Sequence, residues 1–141
     1  MTQLSRRVKR IRGARNLRDL GGYSTLDGRR VRWGTLYRAG HPAHIPLDAH
    51  CEITALGLAC IVDMRSTPER LHEKYHPELL KDLEYWYREY EFSAGDIMAL
   101  LRNPTSLLED AQLVMKQAYR TFPYEQTEAL RALFSRVRAT G

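Results

Sequence analysis

Leu56-Gly57-Leu58-Ala59-Cys60-Ile61-Val62-Asp63-Met64-Arg65-Ser66-Thr67-Pro68-Glu69 is the stretch that decides the fold. Leu58–Met64 is a short apolar run with β-branched Ile61 and Val62 near its centre. That is the pattern of a strand buried on both faces, as in a parallel sheet. Ser66 and Glu69 stand three apart in the form of a capping box, which predicts a short helix to about Tyr75. Asp63 falls at the carboxyl end of the strand, where open α/β sheets place their ligands, and Arg65 follows two positions later. An acid beside a guanidinium suits phosphate chemistry: one donates a proton, the other offsets charge. Spacing alone favours the plainer reading, in which Asp63 caps a neighbouring turn and Arg65 forms a surface ion pair.

Working outward, Arg15–Gly28 reads as ordered loop, with a hairpin-type turn signal at Asp27-Gly28. Strands are predicted at Arg30–Trp33 and Thr35–Arg38, and a proline-bounded loop from His41 to Pro46. Leu47, Cys51 and Ala55 recur at helical spacing up to Gly57, with Ile53 and Leu56 beside them. Downstream, aromatic-rich Leu83–Phe92 predicts a further strand of the same sheet. Helices are expected from Ser93 or Asp96 to Arg102, over Thr105–Tyr119 and over Tyr124–Arg138, with Asn103-Pro104 and Pro123 as breaks. The inward face of the second is read as Leu108, Ala111, Met115, Ala118 and Tyr119. That of the third is read as Leu130, Leu133, Phe134 and Val137. The order is that of an α/β sandwich with a short, mostly parallel sheet. A last helix with no strand after it suggests a sheet incomplete at the C-terminus.

The chain has 141 residues, 43% hydrophobic and 28% charged, which fits one ordinary globular domain. No apolar run has the length of a membrane helix, no secretory signal is evident, and two cysteines in apolar segments suggest reduced thiols and a cytoplasmic setting. The net charge is +5, and half of the Lys and Arg residues lie at or before Arg38. Such a basic front suits an anionic partner, although a solvated tail over residues 1–12 would look the same. No helix-turn-helix, zinc-finger or RNA-sheet motif is present, so nucleic acid is not an expected partner.

Cysteine-dependent phosphatases need C-x5-R, a loop whose N–H groups and arginine surround phosphate. Six residues after Cys51 stands Gly57, and six after Cys60 stands Ser66, so neither cysteine fits. Cys60 to Arg65 is C-x4-R with bulky strand residues between, and both cysteines read as core. His41, His44, His50 and Cys51 match no zinc spacing, so no metal is expected. No G-x-S-x-G elbow and no G-x-x-x-x-G-K-[ST] loop occurs.

Four blocks in order then form a recognisable pattern. Arg15-Asn16-Leu17-Arg18-Asp19-Leu20-Gly21-Gly22-Tyr23 resembles the N-F-R-D-L-G-G-Y opening of the bacterial tyrosine/serine phosphatase family. Val31–Ala39 resembles its next block, ending Y-R-S. Leu56–Ser66 resembles its L-G-I-x-x-V-x-D-L-R-S block, and Met115–Val137 resembles the helical stretch before its signature loop. The resemblance implies a three-layer phosphatase sandwich over residues 13–141. It also implies hydrolysis of phosphoprotein or phosphoinositide monoesters through a phosphocysteine, with no metal or organic cofactor. By the same resemblance Asp63 is the general acid, Arg18, Arg38 and Arg65 bind phosphate, and Asn16 and Asp19 brace the loop.

In that family an apolar strand and H-C-x-x-G-K-D-R-T-G come next. Gly141 stands about where the strand would begin, so the expectation is a truncated form without turnover of its own. The rival expectation is a non-catalytic module that binds phosphate or a partner. Its open sheet edge would pair with a second copy as a homodimer.

Overall fold

The computed structural model describes residues 6–91 and 108–139. They form a mixed α/β arrangement with two small sheets. Strands β1 (Arg18–Asp19) and β2 (Tyr37–Arg38) pair antiparallel, with Arg18 opposite Arg38 and Asp19 opposite Tyr37. Strands β3 (Cys60–Val62) and β4 (Glu84–Trp86) pair in parallel, Cys60 beside Glu84, Ile61 beside Tyr85 and Val62 beside Trp86. Parallel neighbours need a crossover, because the chain must return to the end at which it started. Here helices α2 (Thr67–His72) and α3 (Pro77–Leu80) supply it. Helix α1 (His50–Thr54) precedes β3, and α4 (Leu108–Glu125) and α5 (Thr127–Ala139) follow β4. No described helix is long and apolar enough to cross a membrane.

The capping box forms as the sequence predicts. Ser66 N–H donates to the Glu69 carboxylate at 2.9 Å, and the Ser66 hydroxyl lies 2.7 Å from the same oxygen. Helix α2 ends at His72, before the predicted Tyr75. The parallel strand is there too, but shorter than Leu58–Met64. All three of its residues are half-buried rather than buried on both faces. Among the described residues it has one partner strand, with α5 packed against it.

Several faces differ from the sequence reading. The α1 segment begins as a 3-10 turn over Leu47–Ala49, and it is Ala49 and Ile53 that are buried, while Leu47, Cys51 and Ala55 are exposed. Cys51 is therefore not a core residue, and Cys60 is only half-buried. Both sets of positions have the i, i+4 spacing, so periodicity could not choose between them. In α4, Met115 and Tyr119 are exposed and Val114, Ala118 and Phe122 are half-buried. Phe134 of α5 is also exposed, while Leu130, Leu133 and Val137 are half-buried. Pro123 does not break α4; it sits inside its last turn. Between α4 and α5, Gln126 N–H reaches Phe122 O at 2.9 Å. The predicted strand at Arg30–Trp33 reduces to a bridge between Arg30 and Ser24 across the Asp27-Gly28 turn. The loop reading of Arg15–Gly28 missed β1. The expected helix from Ser93 or Asp96 to Arg102 lies outside the described residues.

The front core gathers Leu17, Ile45, Ala49, Ile53 and Leu79, each at most 6% exposed, with Ile11, Ala14, Tyr37, Leu56 and Leu58 against it. Burying one such aliphatic side chain contributes about 1.5–3 kcal/mol. Residues 6–12 join this body. Val8 bridges Arg18, Lys9 N–H reaches Leu17 O at 2.9 Å, and the guanidiniums of Arg6 and Arg7 stack on Trp33 and Tyr23. Gly13 lies where the backbone of the His41–Pro46 loop passes. Its φ is +79°, and a Cβ there would come within 2.1 Å of His44 O. Gly28 has nearly the same φ, +82°, but open space around it. Gly28→Ala should therefore cost about 1–2 kcal/mol for its left-handed backbone alone. Gly13→Ala should cost at least about 2 kcal/mol more. Urea denaturation of the two variants measures the difference.

Candidate functional site

The sheet pleat assembles the site. Ile61 and Asp63 point to the same side of β3 because side chains alternate along a strand. Tyr85, beside Ile61 in register, points there too, and its hydroxyl donates to Asp63 Oδ2 at 2.8 Å. The chain then turns. Arg65 N–H donates to Asp63 Oδ1 at 3.1 Å, a local turn of the kind aspartate favours. That turn brings the Arg65 guanidinium back over the carboxylate, with Nε 3.0 and 3.2 Å from the two oxygens and Nη2 2.8 Å from Oδ2. The fork geometry is that of a bidentate arginine–carboxylate pair. Arg65 is held from two more sides. Its Nη1 donates to the Glu73 carbonyl at 2.8 Å, and the Tyr75 ring lies under it with Cζ 4.3 Å from the centroid.

The Asp63 side chain is 1% exposed and that of Arg65 13%. Burial pushes the Asp63 carboxyl up, but the hydrogen bonds from Arg65 and Tyr85 outweigh it and hold the group below its usual range. Burial likewise pushes the Tyr85 hydroxyl up, joined by its bond to Asp63, to about 12. Burial, followed by the charge of Asp63, raises Tyr75 still further. Tyr75 meets the Tyr85 ring edge-on and Tyr87 lies tilted beside Tyr85, with centroids 5.5 and 5.2 Å apart.

Arg18 and Arg38 form a second group. Two guanidiniums opposite one another across a strand pair repel, and such a pairing disfavours the sheet. Asp19 offsets this by tying the loop together. Its buried carboxylate accepts from Gly21 N–H at 2.8 Å and Gly34 N–H at 2.9 Å. Asn16 turns the chain ahead of β1 with φ 53°, and its carbonyl takes Arg18 Nη1 at 3.3 Å. Among the described residues no hydrogen bond or ion pair joins the Arg18–Arg38 pair to the Asp63–Arg65 pair. The His41–Pro46 loop follows β2 in the chain and reaches the end of α2. His41 and His44 both face the Glu73 carboxylate, at 2.6 and 3.4 Å. His50 and Cys51 turn elsewhere, His50 to Ile45 O and the His76 ring, Cys51 to Asp48 O.

Neither cysteine has the surroundings of an activated thiolate. Cys60 is raised by burial above its ordinary value, only partly opposed by Arg136. Cys51 is exposed and its sulfur sits 3.7 Å from Asp48 O.

A family model described as "Tyrosine phosphatase family" matches residues 9–141. The chain belongs to the tyrosine phosphatase family. A Cupriavidus necator (strain H16) protein named as a putative tyrosine-protein phosphatase is 35% identical over 118 residues, covering 81% of this chain and 41% of the relative. The chain thus spans about two fifths of that relative's length.

Sequence reasoning named Asp63 and Arg65 but missed Tyr75, Tyr85 and Glu73. Tyr85 and Tyr87, two apart on a predicted strand, carried a usable signal for one aromatic face. Glu73 contributes a backbone carbonyl to Arg65, for which no side-chain pattern exists. The Asp63 carboxyl should titrate below about 3.9, its ordinary value, in wild-type protein followed by carbon-detected NMR. In Arg65→Ala, where burial acts with its main partner removed, it should titrate higher than in the wild type. Because the folded value is depressed, the pair's stabilisation is fully present above about pH 4 and is lost as pH falls through the folded value. Acid unfolding curves of the two proteins should therefore diverge above pH 4 and converge below it.

Proposed function

We propose that this chain carries the phosphate-facing front of a domain that hydrolyses phosphate monoesters on proteins, phosphotyrosine first among them. The Asp63–Arg65 pair at the carboxyl end of a parallel strand is the observation that carries the reading, supported by family membership. In this reading Arg65, with Arg18 and Arg38, offers guanidiniums to the phosphate dianion. Arginine suits that task because its fork matches two phosphate oxygens at once.

Asp63 then acts as the general acid through competition. The bonds that keep it ionised come chiefly from Arg65, and burial alone pushes it the other way. A phosphate that draws off the guanidinium leaves a buried carboxyl with less to hold its charge. Its proton affinity rises, and it can protonate the departing oxygen. The nucleophile of such chemistry is a cysteine heading C-x5-R. Neither Cys51 nor Cys60 heads one, so the 141-residue chain by itself binds phosphate without turning it over.

The test pairs an activity with a binding measurement. With p-nitrophenyl phosphate the purified chain should release no product above buffer. Inorganic phosphate should shift the Arg65 Nε–H resonance, and Arg65→Ala should abolish the phosphate response at Tyr85. Steady hydrolysis lost in Cys60→Ser would overturn the claim of no turnover. Phosphate shifts confined to residues away from Arg65, Arg18 and Arg38 would overturn the site.

A further inference from the structure

His41, His44 and Glu73 form a cluster that the phosphate chemistry does not use. Three features of the fold build it. First, Pro42–His44 is a single 3-10 turn with His41 at its N-cap, closed by Ile45 N–H to Pro42 O at 3.1 Å. A 3-10 turn has three residues per turn, so side chains three apart eclipse. That places both imidazoles on one side, with ring centroids 5.0 Å apart. Second, the turn is pinned. Pro42 and Pro46 restrict its backbone, buried Ile45 anchors it in the front core, and Gly13 packs against His44 O. Third, Glu73 is the C-cap of α2, its N–H bonded to Glu69 O at 2.9 Å. Its carboxylate therefore projects from a fixed point.

One ring nitrogen from each histidine and one Glu73 oxygen lie within 4.8 Å of one another. Bonds of about 2.1 Å in a tetrahedron put neighbouring ligand atoms about 3.4 Å apart. His44 Nε2 lies 3.4 Å from Glu73 Oε1 and His41 Nε2 2.6 Å from Oε2, so the two imidazoles meet different oxygens of one carboxylate, and a shared ion requires the His41 ring and Glu73 to move apart. His41 Nδ1 is buried with no hydrogen-bond partner. It is the other nitrogen of the ring from the Nε2 that faces Glu73. The plain alternative is a carboxylate bridging two histidines with no ion.

We propose that His41, His44 and Glu73 bind a borderline divalent transition-metal ion, zinc by preference. Two imidazoles and one carboxylate are the donor set that such ions choose, whereas magnesium and calcium prefer oxygen alone. Three protein ligands leave a fourth position, and the partial exposure of His44 and Glu73 opens it to water. The ion ties the loop after β2 to the end of α2. Glu73 also holds Arg65 through its carbonyl, so the clamp and the guanidinium share one residue.

Calorimetric titration of the chelator-treated chain with zinc tests this, alongside the thermal unfolding midpoint. The expected result is one ion per chain and a raised midpoint, with no response to magnesium. Glu73→Gln and His41→Ala should each weaken binding by at least about 10–100-fold, the loss seen when even outer-shell partners are removed. Cys51→Ser, which removes the exposed thiol, should bind as the wild type does. Glu73→Gln keeps the side-chain shape and the carbonyl, so a far-UV spectrum matching the wild type shows that its fold is intact. No zinc binding by the wild type, unchanged binding in both ligand variants, or loss of binding in Cys51→Ser would overturn the proposal.

Discussion

The carboxylate of Asp63 is a charge taken almost wholly out of water, and the structure around β3 is organised by the need to keep it paired. An unpaired buried carboxylate would protonate or destabilise the fold, so its neighbours must supply donors. Arg65 supplies three N–H groups and Tyr85 its hydroxyl. Meeting that need fixes the turn after β3, and the turn places Ser66 where it can cap α2. It also brings Tyr75 under the guanidinium and Glu73 beside it. The parallel register of β3 and β4 is part of the same constraint, because Tyr85 reaches Asp63 only when it lies beside Ile61.

The front of the molecule repeats the device with a different carboxylate. Asp19 is buried and takes two backbone N–H groups, one from each side of the loop between β1 and β2. Its bonds hold Arg18 and Arg38 opposite each other despite their like charge. Two buried aspartates, each one or two residues from a basic side chain, thus fix the backbone that carries these guanidiniums. The His41–Pro46 loop links the halves, since it continues β2 and meets the end of α2 through Glu73.

Much of this was legible in the sequence where the cause is local. The Ser66–Glu69 capping box, the Asp27-Gly28 turn and the apolar run around Ile61 each depend on neighbours within a few positions, and each formed. What failed was the choice among equivalent faces. Leu47-Cys51-Ala55 and Ala49-Ile53 share one period, and only packing against Leu17, Ile45 and Leu79 selects the second. The same holds for Met115 and Tyr119, which the α4 pattern placed inward and the structure leaves exposed. Pro123 lies inside α4 even though its ring removes the N–H that would bond Tyr119 O, so proline alone did not mark the boundary.

By itself, then, the sequence determined the strand at Cys60–Val62, the acid and guanidinium that follow it, and the basic character of the front. These rest on residue type and short spacing, which a linear chain already contains. Only the tertiary structure decided that Asp63 is ionised and chelated by Arg65, that Tyr85 completes its hydrogen bonds, and that His41 and His44 share Glu73. The Asp63–Arg65 contact is local, but its burial is not, and the Tyr85 and Glu73 contacts join residues far apart in the chain. Neither that burial nor those contacts exist until the parallel crossover has brought β4 beside β3 and the front loop against α2.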